Sequence, residues 1–490
     1  DHGKTTLLDA LRQTNVAQKE AGGITQHVAA YQIETKSNKT ITFIDTPGHA
    51  AFSSIRTRGT VITDIIILVV AADDGIKEQT IEIIQQAKGK NVPIIVAINK
   101  IDKPNANVDR VKTELMNYEV ILEDFGGDVL SVEISALNRI NLDGLVDAIL
   151  LQAEMLELNA GIEGNSRGTI LESRVDRGKG IISSVIIQHG ILKEGDIFVA
   201  GASYGKVRII FDDNGKRIYQ ALPSAPVEIV GFDTAPEPGD LFVAIESEQK
   251  AREIAEYRKR TKSLTLKTKT SKTLEQVIEG SRSSVQTLNI IIKADVYGSL
   301  EAIIASIDLI KHPEIKINIV STGVGIISEN DIDFAQSINA ITIGFNVSII
   351  ATAKELSKLY EVKILNHSVI YHMIEEIKKI MSKMLAPTVE EHYIGVADVR
   401  KLFTISRFGT IAGCYVLDGV IKKHDSKIKV KRGEDCIFEG KIKSMKHEKD
   451  EIKEAKYQHE CGILTDGFND FREGDKIECY EIVLKFRSLD

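Results

Sequence analysis

Three apolar runs that each end in a polar motif constrain the fold of this chain most. They read TFIDTPGHAAF at 42–52, VPIIVAINKID at 92–102 and VLSVEISAL at 129–137. Short apolar runs of this kind are typical of buried parallel strands, and ligand groups gather where such strands end. The pattern predicts a doubly wound α/β domain with a ligand site along one edge of its sheet.

The first residues, DHGKTTLLDALRQT, match the second half of the phosphate-binding pattern G-x-x-x-x-G-K-[ST] at Gly3-Lys4-Thr5. Backbone N–H groups of Gly3 to Thr6 would face a phosphate at the start of an amphipathic helix. The Lys4 ammonium would neutralise phosphate charge, and the Thr5 hydroxyl could ligate Mg²⁺. We expect the leading glycine and its strand to precede residue 1 in a longer protein. The tripeptide alone also occurs by chance.

The run at 42–52 supplies Asp45, Gly48 and His49. A carboxylate at a strand end can hold Mg²⁺, and a glycine lets its backbone N–H approach a γ-phosphate closely. His49 would then lie beside the reaction centre. The alternative is a β-turn with an incidental histidine.

The other two runs predict a base-binding site. The Asp102 carboxylate can accept two hydrogen bonds from guanine that adenine does not offer, while Asn99 can reach the guanine edge and the Lys100 stem can cover the ring. The backbone of Ser135-Ala136-Leu137 would lie near the guanine oxygen. Phosphate, magnesium and base motifs in this order predict a domain that binds GTP or GDP with Mg²⁺.

Composition argues against a membrane-spanning protein and against a strongly basic nucleic-acid-binding protein. The chain has 490 residues, 43% hydrophobic and 27% charged, which fits a globular protein of several domains. No apolar run reaches membrane-spanning length, so no membrane contact is expected. The net charge of −8 predicts that any contact with nucleic acid is local.

Together, DHGKTTLLD, EAGGITQH, DTPGHAAF, RTRG, VVAADDG and NKIDKP resemble the bacterial-type translation initiation factor two family, including its organellar members. The similarity continues through KADVYGSLEAI, HSVIYHMI, RFGTIAGCYVLDGVIKK and ECGI, and so covers the whole chain. It implies that Thr25 is a second magnesium ligand in a nucleotide-responsive loop containing Gly22, Gly23 and Ile24. It also implies that His49 positions the attacking water. By residue types alone, the glycine-rich segment would be a surface loop.

The predicted fold class is multidomain α/β and β. Residues 1–160 form the truncated GTP-binding domain, 165–248 a β-barrel, 249–285 a helix and linker, and 286–365 a small α/β/α domain. A connecting helix occupies 366–387, and a second β-barrel occupies 388–490. Basic residues at 258–262 are interpreted as solvated surface, with contact to ribosomal RNA as the alternative.

The resemblance implies that the C-terminal barrel holds the formylmethionyl end of initiator tRNA. Candidate contacts are Glu460, Cys461 and Gly462, with Arg472 as a partner for the Glu460 charge. The alternative for Cys461 is a small buried apolar residue.

The family relationship implies a monomeric GTPase that acts in the bacterial cytoplasm or an organelle. It would bring initiator tRNA to the small ribosomal subunit, promote joining of the large subunit, and hydrolyse GTP on the ribosome. Two alternatives are an elongation-type factor carrying aminoacyl-tRNA and a scaffold that uses GTP only as a switch.

Overall fold

The computed structural model describes residues 2–12, 25–270, 286–385, 388–405, 409–424, 426–448 and 450–485. The chain divides into two compact units, Asp1–Glu376 and Ile377–Asp490. Among the described residues, no helix is both long and apolar enough to cross a membrane.

The first part of the chain forms the α/β domain expected from the three apolar runs. Its elements are α1 (Lys4–Arg12), β1 (Ala29–Glu34), β2 (Thr40–Asp45), α2 (Ser53–Ile62), β3 (Ile66–Ala71), α3 (Glu78–Lys90), β4 (Ile94–Asn99), α4 (Val108–Met116), β5 (Ser131–Glu133) and α5 (Leu142–Met155). Strands β3, β4 and β5 form a parallel sheet in that order, and β1 and β2 form an antiparallel pair.

Helices cover both faces of this sheet, as doubly wound topology requires. One core packs β3 and β4 against α3 and α4. The other joins Leu7 of α1, Phe43 of β2, Ile95 of β4 and Leu145 of α5. Although β2 and the parallel sheet share this second core, no pairing joins β2 to β3 within the described residues.

A closed six-stranded barrel follows. The strands of this segment are β6 (Arg167–Asp176), β7 (Gly180–His189), β8 (Leu192–Lys193), β9 (Ile197–Ala200), β10 (Ser203–Phe211), β11 (Arg217–Ile218), β12 (Gln220–Ala221), β13 (Pro226–Phe232) and β14 (Leu241–Ile245). The ring runs β10-β13-β7-β6-β14-β9 and closes through pairing of β9 with β10. Strands β8 and β12 pair with each other, and β11 pairs with β10 outside the ring. Closure leaves no free edge along these six strands.

A long helix, α6 (Glu248–Thr270), then packs beside the barrel. Two of its basic residues contact barrel residues: Arg258 donates to the Gly201 carbonyl at 2.9 Å, and Lys262 pairs with Glu237. These contacts favour a structural role for both side chains. The predicted linker at 271–285 lies outside the described residues.

The strands of the third segment, residues 286–367, again pair in parallel. Its elements are β15 (Gln286–Ala294), α7 (Tyr297–Asp308), β16 (Ile315–Val324), α8 (Glu329–Ser337), β17 (Ala340–Phe345), α9 (Ala351–Leu359) and β18 (Ile364–His367). The sheet order is β16-β15-β17-β18. Helix α10 (Ile370–Met384) follows, close to the predicted connecting helix, and the division between the two units falls inside it.

The second unit is a curved antiparallel sheet around one core. Its strands are β19 (Thr388–Ile405), β20 (Gly409–Lys422), β21 (Ser426–Arg432), β22 (Asp435–Gly440), β23 (Ile442–His447), β24 (Asp450–Glu451), β25 (Glu454–Lys456), β26 (Glu460–Thr465) and β27 (Lys476–Lys485). Alternate side chains of these strands point into a shared apolar interior, which is the arrangement predicted for a β-barrel.

Candidate functional site

The start of α1 is held against the strand end at Asn99. Gly3 has a φ of +88°, and a Cβ built there would lie 2.5 Å from Asn99 Nδ2. A side chain at residue 3 would therefore meet both backbone strain and a clash. The helix begins with a hydrogen bond from the Leu7 N–H to the Gly3 carbonyl at 2.9 Å, and the buried Leu7 side chain anchors it.

Two threonine hydroxyls and a carboxylate meet beside α1. The Oγ1 atoms of Thr5 and Thr25 are 2.5 Å apart, and Thr5 also hydrogen-bonds the buried Asp45 carboxyl. Burial raises the pKa of Asp45, opposed by the Thr5 hydrogen bond and by Lys4. Burial lowers the pKa of Lys4. Hard oxygen donors of this kind suit Mg²⁺, which needs only one or two protein carboxylates when phosphates supply other ligands.

Gly48 brings the backbone after Asp45 close to the Lys4 ammonium. A Cβ at residue 48 would lie 2.7 Å from Lys4 Nζ. The glycine therefore keeps open the space beside this cation, where the sequence predicted a γ-phosphate.

Arg56 fixes the backbone on either side of Gly48. This buried α2 residue donates from Nη1 to the Pro47 carbonyl at 3.2 Å and to the His49 carbonyl at 2.6 Å. Its Nη2 donates to Glu82 of α3 at 2.6 Å. Sequence analysis assigned no role to Arg56, although this residue lies in the RTRG motif that contributed to the family resemblance. Its guanidinium is engaged by backbone carbonyls and Glu82.

The His49 imidazole packs against two aromatic rings. The Tyr371 ring centroid is 4.6 Å away at an interplanar angle of 39°, and the Phe52 centroid is 6.3 Å away, edge-on. Burial, and then the nearby Arg56 charge, lower the pKa of His49. The imidazole is therefore biased toward its neutral form, which can accept a proton or a hydrogen bond.

The predicted base-binding residues form one hydrogen-bonded group. Ser135 Oγ donates to Asp102 at 2.5 Å, and the Ala136 N–H donates to Asn99 Oδ1 at 3.0 Å. Asn99 Nδ2 donates to the His2 carbonyl at 2.9 Å, which links this group to the start of α1. Leu137 adds only its backbone here, because its side chain is 76% exposed.

Lys100 lies between the base-binding segment and the loop after β3. Its φ is 65°, and its ammonium lies 3.7 Å from the Asp73 carboxylate. The structure thus brings together the candidate residues on α1 and those at the ends of β2, β4 and β5. Gly22, Gly23 and Ile24 lie outside the described residues.

Sequence comparison matches three stretches of the chain to known protein families. Residues 1–155 match the profile described as "Elongation factor Tu GTP binding domain", 165–245 match "Elongation factor G domain 2", and 263–378 match "Translation-initiation factor 2". The chain is 50% identical over 482 residues to "Translation initiation factor IF-2" of Thermodesulfovibrio yellowstonii. It is 47% identical over 494 residues to the protein of that name from Rickettsia bellii.

The chain belongs to the translation initiation factor IF-2 family. The two matches cover 98% and 100% of this chain, but the chain spans only 64% and 59% of those relatives. Among solved structures, the crystal structure of GDP-bound aIF5B from Aeropyrum pernix is 26% identical, with a TM-score of 0.46. That match covers 99% of this chain and 90% of the other.

In this IF-2 family member, the candidate tRNA residues lie on β26 and the loop that follows it. The Cys461 side chain points into the core and is 4% exposed. In the register of β20 and β26 it lies opposite Cys414, and both cysteines are free thiols. Burial raises the pKa of the Cys461 thiol to about 12. The structure therefore favours the buried alternative for this side chain.

The two residues on either side of Cys461 are less buried than Cys461 itself. Glu460 is exposed, Gly462 is half-buried, and the Glu460 carbonyl accepts a hydrogen bond from His447 at 2.7 Å when Nδ1 carries the proton. Arg472, considered above as one cation that could neutralise Glu460, does not pair with it in the described part of the chain. Arg472 instead lies 3.9 Å from Asp470, because the turn before β27 brings these two residues together.

Proposed function

We propose that this chain is the GTP-hydrolysing and tRNA-binding part of a translation initiation factor. The observation that carries the proposal is the group centred on Asn99, which bonds both the start of α1 and the base-binding segment at Ala136. These two bonds support a site in which the start of α1 would face phosphate and the segment around Asp102 and Ala136 would face guanine. The motif order and the family relationship support the same conclusion.

GTP or GDP would occupy this edge. Lys4 and the N–H groups of Gly3 to Thr6 would bind phosphate oxygens, and Asp102 would select guanine. Thr5, Thr25 and Asp45 would hold Mg²⁺, directly or through water. When bound, the ion would offset negative charge on the phosphates during transfer.

His49 would orient the water that attacks the γ-phosphorus, with GDP as the leaving group. Its lowered pKa favours a neutral imidazole that can accept a hydrogen bond from that water. Arg56 would act through the backbone, by fixing the carbonyls on both sides of Gly48. Since no described residue supplies a free guanidinium to this site, we expect slow hydrolysis until the ribosome completes it.

The proposed biological role is that of the family. The factor would bring formylmethionyl initiator tRNA to the small subunit, promote joining of the large subunit, and leave after hydrolysis. It would act as a monomer in the bacterial cytoplasm, or in the equivalent compartment of an organelle.

The decisive experiment measures GTP hydrolysis by the full-length protein with and without ribosomes. We expect ribosomes to stimulate hydrolysis, and His49→Ala to lower the stimulated rate about a hundredfold or more while GTP still binds. His312→Ala, in a loop after α7, is the matched control and should behave as wild type. Normal ribosome-stimulated turnover in His49→Ala would show that a group other than His49 orients the attacking water.

A parallel assay separates initiation from elongation. Initiator tRNA and an elongator aminoacyl-tRNA are each offered to the protein with the small subunit and GTP. Preference for the initiator supports the proposal, whereas preference for the elongator supports the alternative.

A further inference from the structure

The short corner between β18 and α10, residues 367–371, contacts two parts of the nucleotide site. On one side, Gln26 Nε2 donates to the Ser368 carbonyl at 3.0 Å. Gln26 is buried and directly follows Thr25, the candidate magnesium ligand. On the other side, Tyr371 packs on His49. The corner therefore contacts His49 directly and contacts Gln26, the residue after Thr25. His49 and Thr25 are the two residues expected to respond to the γ-phosphate.

The corner is itself braced. His367 Nε2 lies 2.6 Å from a Glu376 carboxylate oxygen, which joins the end of β18 to the second turn of α10. Ile370 and Met373, on either side of Tyr371, are almost fully buried. Tyr371 thus projects from a fixed helix start, with 48% of its surface exposed. The packed residues around it hold the backbone that presents this ring to His49.

Among the residues that the structure describes, few other side chains restrain His49. Phe52 is fully packed and touches the imidazole only edge-on, with 6.3 Å between centroids. Arg56 bonds the His49 carbonyl and leaves its ring free to rotate. The ring face is covered by Tyr371 at 4.6 Å, within the range of favourable aromatic pairs.

We propose that Tyr371 is a positioning residue for His49, holding the imidazole in the orientation needed to direct water at the γ-phosphate. The inference rests on the proposed GTPase function. It adds that the start of α10, more than 300 residues further along the chain, contributes to the hydrolysis site. Truncating Tyr371 would allow the imidazole more rotamers and reduce the oriented fraction.

A purely structural role for Tyr371 makes a different prediction. If the ring only packs the third segment against α2, its loss should weaken folding or GTP binding. The decrease in stability or GTP binding caused by Tyr371→Ala should then be the same whether or not residue 49 is a histidine. If Tyr371 acts through the imidazole, its effect should disappear once the imidazole is gone.

The test is a double-mutant cycle in the full-length protein, with ribosome-stimulated GTP hydrolysis as the readout. We expect Tyr371→Ala to lower kcat about three- to tenfold, the range that the loss of one aromatic pair corresponds to. The KM for GTP should stay unchanged. Tyr371→Phe keeps the ring and should retain nearly wild-type kcat. In the His49→Ala background, Tyr371→Ala should have no further effect.

Tyr219→Ala removes an exposed barrel tyrosine and controls for general loss of an aromatic side chain. If wild-type protein shows no hydrolysis with ribosomes, the proposed function itself is wrong. If wild type is active, three results overturn the inference alone. The first is an unchanged or raised kcat in Tyr371→Ala. The second is a decrease in kcat in Tyr371→Phe equal to that in Tyr371→Ala. The third is that Tyr371→Ala lowers kcat as much in the His49→Ala background as in wild type.

Discussion

Asp102 carries the expected choice of guanine over other bases. Its carboxylate is held by the Ser135 hydroxyl at 2.5 Å, so its orientation is set before a base arrives. We predict that Asp102→Asn lowers GTP affinity about 10- to 100-fold, because an amide matches the guanine edge poorly. The same amide can donate to the extra carbonyl of xanthine, so XTP affinity should rise.

The measurement is equilibrium binding of GTP and XTP to wild type and mutant. Asp128→Asn, at an exposed loop position, is the matched control. Unchanged guanine preference in Asp102→Asn would remove Asp102 from the base site.

Arg56 shows how one buried side chain can shape a site without touching the ligand. Its fork spans two backbone carbonyls and Glu82, a geometry that lysine cannot reproduce. We predict that Arg56→Lys lowers the free energy of unfolding by about 1–3 kcal/mol, since buried acceptors lose charged donors. Stimulated kcat should fall more than GTP affinity.

Denaturant unfolding and hydrolysis assays together check the Arg56 prediction. Arg110→Lys, which alters an exposed α4 pair with Glu114, provides the comparison and should change neither quantity. If Arg56→Lys loses stability but keeps full turnover, the backbone on either side of Gly48 is fixed by other contacts.

At the scale of elements, β6 joins three parts of the first unit through Glu172. Its Oε2 accepts a hydrogen bond from the Val28 N–H at 3.2 Å, three residues after Thr25. Its Oε1 lies beside Gly298 in the first turn of α7, 2.7 Å from where a Cβ would be. Burial, and then the nearby Asp295, raise the pKa of Glu172 to about 8.

This raised pKa makes the first unit sensitive to pH. Between about pH 5 and about pH 8 the folded state keeps a proton on Glu172 that the unfolded state releases. The stability linked to that proton is therefore fully present below the unfolded pKa and is lost as pH rises toward 8. The slope from this one group is at most about 1.4 kcal/mol per pH unit.

We predict that Glu172→Gln removes this slope, because the amide stays neutral and still offers an oxygen to Val28. The stability difference, mutant minus wild type, should grow from about pH 5 to about pH 8. Urea unfolding across this range is the measurement, with the exposed α6 substitution Glu253→Gln as control. A constant difference across the range would show that Glu172 is already ionised at pH 5.

At the scale of the molecule, the second unit has its own core and its own proposed ligand. We predict that residues 377–490 alone bind formylmethionyl-tRNA more tightly than unformylated methionyl-tRNA. Formylation removes the amino charge, and a closely fitting site would leave a free ammonium poorly solvated. Equal affinity for the two tRNAs, in a fragment that circular dichroism shows to be folded, would place initiator recognition elsewhere.

The structure also changes how this site should be tested. A bulky residue at Cys461 would disrupt the core and so could not report on tRNA contact. Glu460→Gln and Arg472→Ala alter exposed side chains and are the informative variants. We expect either to change tRNA affinity without lowering the unfolding midpoint. No effect from either would remove both side chains from the contact.

The sequence determined the order of the elements and indicated the location of the candidate nucleotide site. Apolar runs that end in Asp45, Asn99 and Ser135 mark strand ends, and ligand groups gather at such ends in α/β domains. Helix positions were also predictable: the segment expected at 369–385 is helical from Ile370 to Met384. These features depend on residues close together in the chain, so local pattern is enough to predict them.

Tertiary structure alone decided which distant side chains meet. Tyr371 reaches His49, Glu172 reaches Val28, and Arg56 turns toward two carbonyls and Glu82. Cys461 faces the core, away from solvent, because strand pairing sets which face of the pleat each residue occupies. The free energy of such contacts comes from packing between segments far apart in sequence. No local pattern of residues in the chain encodes them.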